Sequence, residues 1–526
     1  MADAAKEILF EEEAREKLKK GINQLAKAVQ STLGPQGRNV GIEEGFGDPK
    51  ITNDGWSIVQ AMQLKDQYED MGVSLGKELT SKMKDTCGDG TTTAIILLNA
   101  LVINGIKNIA AGASPIHLKR GMEKAAEAVL VEIEKNAIPV QEDRAIENVA
   151  IVSASGNREI GKLIANAFTQ SSVITIEEGK GTDTIVEVTE GMQFDRGYLS
   201  AYFCTEVEKR TATLKNAKIF ITDKKISSAQ DILPILQVIA STGEELLLIA
   251  EDFEGDALST LVVNKLKGIL KVCAVKAPAF GDRRKAILQD IAILTGATLV
   301  SEDTGMQLKD AGSEILGSAE KIEITKDHTT IIGGKGDAKG LQSRIQQIQN
   351  EITESKNSYD KEKLEERKAN LSGGVAVIRV GASTEIEMKQ KKQTFEDSLS
   401  STRSAKEEGI VPGGGVALLR ASLSISGSGL STEEKIGAQI LKEACLAPIK
   451  QIILNSGEDA SLLIDEILQK DYSFGFNALS EQIENLLESG VIDPVKVVKN
   501  ALQFATSIAG VILISEALIG DTPEEE

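Results

Sequence analysis

The stretch Asp85-Thr-Cys-Gly-Asp-Gly-Thr-Thr-Thr-Ala94 concentrates groups that handle phosphate. Asp89 sits between two glycines, and three hydroxyls follow at Thr91, Thr92 and Thr93. The apolar run from Ala94 to Ile109 predicts a buried helix with the glycines and threonines at its N-terminus. A helix start offers free N–H groups and partial positive charge, both suited to an anion. Glycine lets the backbone approach that anion closely. The Asp89 carboxylate suits the magnesium ion that travels with a nucleotide, because hard cations prefer such oxygens. The competing reading is a helix cap with a flexible turn. Three consecutive threonines beside an acidic loop favour the nucleotide.

No Walker A loop is present. The nearest approach, Gly156-Asn-Arg-Glu-Ile-Gly161-Lys162, has Leu163 where Ser or Thr is required. Thr32-Leu-Gly-Pro35 offers a tight turn, and Thr52-Asn-Asp54-Gly55 supplies a second carboxylate. Gly413-Gly-Gly415 precedes an apolar helix and suits a base or ribose. Each of these also reads as a simple turn or helix cap.

These groups need elements to hold them. Leu18, Ile22, Leu25, Ala26, Val29 and Leu33 recur at three- and four-residue steps and predict a helix over 12–33. Helical patterns dominate to about residue 137. Residues 173–177, 218–222, 246–250 and 272–276 then read as strands, with helical patterns around 229–241 and 254–268. That alternation predicts an α/β domain. Residues 340–370 predict a charged helical hairpin turning at Asn357-Ser-Tyr-Asp360. Residues 375–380 form another strand, and helix returns from about 385 to 518. The acidic tail from Asp521 is expected to lack structure. This order predicts a discontinuous domain, with the two α-rich ends packed together and the middle inserted.

At 526 residues the chain needs two to four domains. Aromatics are 3%, so its cores are mainly aliphatic. The net charge of −20 argues against a nucleic-acid partner, which requires a basic face. Four scattered cysteines and two distant histidines exclude a disulfide scaffold and make histidine chemistry a poor expectation. No span of 18 apolar residues is recognised, so no membrane helix is expected. The first residues lack signal and transit patterns, and a reducing bacterial cytoplasm is expected, with a mature organellar chain as the alternative.

Five segments agree with a known family: Thr32-Leu-Gly-Pro-Gln-Gly-Arg-Asn39, Asp85 to Thr93, Gly191-Met-Gln-Phe-Asp-Arg-Gly-Tyr-Leu-Ser200, Gly281-Asp-Arg-Arg-Lys285 and Gly409-Ile-Val-Pro-Gly-Gly-Gly415. Over residues 6 to 520 the chain resembles group I chaperonins of the GroEL type. The resemblance implies a multi-domain α and α/β subunit. An α-rich equatorial ATP-binding domain would span 1–137 and 408–526. A small intermediate hinge domain would span 138–189 and 376–407. An α/β apical domain, 190–375, would bind substrate and co-chaperonin. The implied activity is an ATPase that captures non-native polypeptides and encloses them under a 10 kDa-type co-chaperonin ring. The implied assembly is seven-membered rings, two of them stacked.

By the same resemblance, Thr32, Leu33, Gly34 and Pro35 line the phosphates and base. Asp89 holds Mg2+, and Gly90, Thr91, Thr92 and Thr93 bind phosphate oxygens. Asp54 helps to polarise the attacking water, and Asp397 orients it. Gly414, Asn477, Ala478 and Asp493 border adenine and ribose. The Thr32 and Asn53 carbonyls and Thr92 bind K+. The Arg196–Glu385 and Asp85–Lys326 pairs are implied to break in domain movement, against the plain alternative of solvated surface pairs.

The 229–241 and 254–268 helices carry apolar arcs wider than one buried face needs. Burial on two sides explains this, and so does an exposed protein-binding groove. The resemblance favours the groove. Tyr198, Tyr202, Phe203, Leu233, Leu236, Leu258, Val262 and Val263 match positions that hold non-native chains and the co-chaperonin.

Departures from the family pattern include Asn53 for a lysine, Trp56 for a small β-branched residue, and Thr86 and Cys87 for small residues. Lys450 stands for an arginine opposite Asp459, losing the bidentate fork. They bear on ATPase rate and ring pairing, and leave a second reading: a divergent paralogue acting as a holdase with weak ATPase. An ordinary small-molecule ATP-using enzyme is the third, without a visible acceptor site.

Overall fold

The computed structural model describes residues 6–43, 49–140, 143–154, 156–207, 209–301, 305–310, 312–355 and 357–521. The chain divides into two compact units. One joins Met1–Ala165 to Thr384–Glu526, and the other is Asn166–Ser383.

The first unit is a helical assembly tied by its own chain ends. Strand Lys6–Phe10 pairs antiparallel with Ala517–Asp521, from Lys6 opposite Asp521 to Phe10 opposite Ala517. Asp521 therefore ends a strand, and the rest of the acidic tail lies outside the described residues. Helix Glu11–Gln30 packs on helices Gln67–Cys87 and Thr91–Ala110. Helix Val495–Ile514 lies against Thr91–Ala110 and Pro115–Lys135, and Pro115–Lys135 packs on Thr432–Cys445. That last pair approaches closely because glycines meet it. A Cβ on Gly121 would lie 2.0 Å from the Glu434 carbonyl oxygen, and one on Gly437 2.2 Å from that of Leu118.

One expectation needs correction. Thr91–Ala110 and Val495–Ile514 are, by length and composition, apolar enough to cross a membrane. Their apolarity has a core explanation: Leu97, Leu98 and Leu101 on one, and Ala501, Leu502 and Ala505 on the other, are fully buried together. The C-terminal part is also less uniformly helical than its periodicity predicts. Short pairs form there, Ile410–Pro412 with Ile492–Pro494 and Phe474–Asn477 with Gln482–Asn485.

The second unit is α/β. Its six-stranded sheet runs in the order Gly191–Phe194, Thr329–Gly334, Gly317–Ile324, Ala212–Ile221, Glu245–Ala250, Lys271–Lys276. The last three strands are parallel. Helices Leu233–Thr242 and Asp256–Leu266 make the crossovers between them, as the β-branched runs with intervening helices require. A smaller sheet places Val375–Val380 between Ile174–Glu178 and Ile185–Thr189. The charged hairpin forms as helices Ala338–Glu354 and Ser358–Ser372. Its faces are not all solvated. Arg344 and Arg367 converge on the buried Asp290, with Nε–Oδ distances of 2.7 and 2.9 Å.

Candidate nucleotide site and apolar face

Helix Gln67–Cys87 ends at Gly88, φ +73°, and helix Thr91–Ala110 begins after Gly90, φ +78°. Both angles belong to the left-handed region that glycine tolerates. Space also demands glycine, since a Cβ on Gly90 would lie 2.6 Å from Val497 Cγ1. Asp89 is held between them. The Gly90 N–H donates to its Oδ1 at 2.6 Å and the Ser153 hydroxyl to its Oδ2 at 2.9 Å. Thr91, Thr92 and Thr93 form the first turn of a 20-residue helix, where N–H groups are free for an anion.

Asp54 caps helix Gly55–Ala61, accepting from the Ser57 N–H at 3.0 Å, the Ser57 hydroxyl at 2.6 Å and the Trp56 N–H at 3.3 Å. The cap reading is therefore correct here, and the same carboxylate also lines a cavity. A Cβ on Gly55 would meet Thr92 Oγ1 at 2.1 Å, so this turn lies directly against the threonine run. The Thr32 turn closes helix Glu11–Gln30, with the Thr32 hydroxyl donating to the Val29 carbonyl at 2.8 Å. Asn455 steadies it by donating to the Gln30 and Leu33 carbonyls at 2.9 and 2.8 Å.

Thr32–Pro35, Asn53, Asp54, Asp89–Thr93, Asp397, Gly414, Asn477, Ala478 and Asp493 all line one cavity of about 900 Å³. Asp397 arrives on helix Glu385–Glu408, paired to Lys84 and accepting from Gln393 Nε2 at 2.9 Å. Burial pushes its carboxyl up to about 7; Lys84 opposes the rise, while Asp54 and Asp89 add to it. Burial likewise pushes Asp493 up to about 7, with Asp89 contributing.

Sequence reading missed the cations of this cavity: Lys84, Arg144, Arg158 and Lys162. A signal existed for two of them. The segment Gly156 to Lys162 lacks the Walker A hydroxyl at position 163, yet Gly156, Arg158 and Lys162 line the cavity. Ser153, the partner of Asp89, carried no signal. Trp56 and Cys87 gain structural roles. Lys84 Nζ lies 5.7 Å from the Trp56 ring centroid. Cys87 is buried, accepts from Asn500 Nδ2 at 3.2 Å, and its thiol is pushed up by burial, which makes it a packing residue.

Asp493 gives a pH-dependent prediction. Its folded-state value lies above the ordinary 3.8, so the folded chain holds this proton more tightly than the unfolded one. The stability it contributes is full below about pH 4 and is lost as pH rises through about 7. Asp493→Asn is expected to raise the unfolding midpoint of the nucleotide-free protein by a few degrees at pH 8 and much less at pH 5. Melting curves across that range check it; a gain that does not grow with pH contradicts it.

On the α/β unit, Ala201–Phe203 and Ala229–Ile232 both contact helix Asp256–Leu266. Tyr202 is 63% exposed, and Leu233 and Val263 are each 45% exposed. Tyr198, Leu258 and Val262 are half-buried at the edge of the core. Phe203 and Leu236 do not join the exposed set. They are buried in the same core cluster as Ile235 and Ile239.

A glycine-flanked helix start, carboxylates lining one cavity and a unit built from both chain ends fit the class of nucleotide-using chaperonins. The TCP-1/cpn60 chaperonin family profile matches residues 25–523. The chain is 60% identical over 524 residues to Chaperonin GroEL 3 of Protochlamydia amoebophila (strain UWE25), covering 99% of this chain and 98% of that protein. The chain therefore belongs to the TCP-1/cpn60 chaperonin family, within its group I, GroEL-type branch. It is an ATP-dependent molecular chaperone with ATPase activity.

Proposed function

We propose that the chain captures non-native proteins on its exposed apolar face and encloses them under a co-chaperonin ring, driven by ATP with Mg2+ and K+. The observation that carries this reading is the single cavity that collects every residue expected to touch nucleotide. Thr91, Thr92 and Thr93 hold phosphate oxygens. Asp89 supplies the carboxylate for magnesium, and the donor set fits. Magnesium takes one or two carboxylates with phosphate oxygens, and Asp89 lines the cavity directly before the first turn of helix Thr91–Ala110. The Thr32 and Asn53 carbonyls and Thr92 serve potassium, consistent with the close approach of Thr92 to the 53–55 turn. Gly414, Asn477, Ala478 and Asp493 border base and ribose. Asp54 and Asp397 flank the attacking water, and Asp397, with a value near 7, suits proton acceptance.

The subunit works as three domains: equatorial 1–137 and 408–526, intermediate 138–189 and 376–407, apical 190–375. Nucleotide shifts them by binding one arrangement better. Seven-membered rings, stacked in pairs in the bacterial cytoplasm, are the working assembly. Magnesium supplies charge stabilisation of several kcal/mol in phosphoryl transfer. Chelating it is expected to lower phosphate release by about 100-fold or more, and replacing K+ by Na+ to lower it further. Undiminished hydrolysis in excess chelator rejects this account of the site.

A further inference from the structure

We propose that Lys84 binds the terminal phosphate of the nucleotide while holding Asp397 beside it, and so takes part directly in hydrolysis. The inference rests on the nucleotide reading of the cavity and deepens it. Lys84 stands in the last turn of helix Gln67–Cys87, immediately before the Gly88–Gly90 loop. It lines the cavity and forms an ion pair with Asp397 Oδ1. The two side chains are only 22% and 20% exposed. Trp56, with its ring centroid 5.7 Å from the ammonium, adds a cation–π contact on another side. The cation is thus placed by a carboxylate and an indole rather than left to roam.

An ammonium has three N–H donors. Among the described residues Asp397 is the hydrogen-bond partner of this one, which leaves two donors for a ligand in the cavity. Gln393 also uses Oδ1 of Asp397, so Oδ2 stays available to water. Asp54 and Asp89 lie close enough to Asp397 to disfavour its charge, and a terminal phosphate adds more negative charge to the same space. A cation between phosphate and Asp397 eases their repulsion, and Lys84, already paired to Asp397, is placed to supply it beside the magnesium ion proposed at Asp89. The remaining cavity cations, Arg144, Arg158 and Lys162, form no ion pair with Asp397 among the described residues.

In the step itself, the water oxygen bonds to the terminal phosphorus and the bond to the bridging oxygen of ADP breaks. ADP leaves with the electron pair, and the water proton goes to Asp397. Lys84 offsets charge on the phosphate oxygens through its N–H donors. A group that touches the terminal phosphate affects ATP and not ADP, and this separates the proposal from a packing role.

The test uses the full chain as wild type, Lys84→Met and Lys84→Arg, with steady-state ATPase and titrations of ADP and adenylyl imidodiphosphate. Lys84→Met is expected to lower kcat about 100-fold and to weaken the triphosphate analogue about tenfold, with ADP affinity unchanged. Lys84→Arg is expected to keep the preference for the triphosphate. Wild-type kcat in Lys84→Met, or equal losses for both nucleotides, overturns the proposal. A wild-type chain that binds neither nucleotide overturns the reading of the cavity itself, and the lysine's role with it.

Discussion

Asp397→Ala is expected to cut steady-state ATP hydrolysis by about 100- to 10,000-fold, the range for loss of a positioned proton acceptor. ATP binding is expected to hold or tighten. Asp397 has no phosphate to attract, and its removal frees the Lys84 ammonium and takes one carboxylate from a cavity that also holds Asp54, Asp89 and Asp493. The burial that lifts its carboxyl to about 7 also suits it to take a proton near neutral pH. Asp397→Asn separates the two contributions. The amide preserves shape and one acceptor oxygen but cannot receive the proton, so it is expected to be nearly as slow as alanine. Hydrolysis at wild-type rate in either variant places the proton acceptor elsewhere.

The second large effect is on client capture. Replacing Leu233 and Val263 together by serine removes two half-exposed apolar side chains from the face beside Tyr202. A half-exposed side chain has about 1 kcal/mol left to gain by burial against a client. Two per subunit, repeated around the proposed ring, multiply through avidity. Capture of a denatured client is expected to weaken by about 100-fold or more. The fold is expected to stand, since Ile235, Leu236, Ile239 and Leu261 keep the helices on the sheet. Sedimentation of client with the chaperonin, beside ATPase and melting curves, checks this. Unchanged capture with both substitutions moves the binding face elsewhere.

How much was legible follows from the kind of interaction involved. The turn at Gly88–Gly90 and the helix start at Thr91 were readable because glycine, aspartate and threonine announce their backbone preferences locally. Residues 375–380 and the 340–370 hairpin were readable because period and turn residues agree. The pairing of Lys6–Phe10 with Ala517–Asp521 was not, since its partners lie about five hundred residues apart and nothing local names them. Lys84 was hidden for a related reason. On a helix of mixed charge it reads as a solvated lysine, and only the fold brings Asp397 to it. Period alone does not separate Leu236, which is buried, from Leu233, which is half-exposed. The apolarity of Thr91–Ala110 and Val495–Ile514 was under-read, because the centre of a helical assembly asks for the same apolarity as a bilayer.

The central claim is that ATP turnover in the cavity drives capture and release of non-native protein. Recovery of an aggregation-prone client tests it most directly, with the denatured client diluted into the chaperonin and a group I co-chaperonin under ATP or ADP. The account predicts native client with ATP and bound, inactive client with ADP. Client that stays bound under ATP as under ADP contradicts it and leaves the holdase.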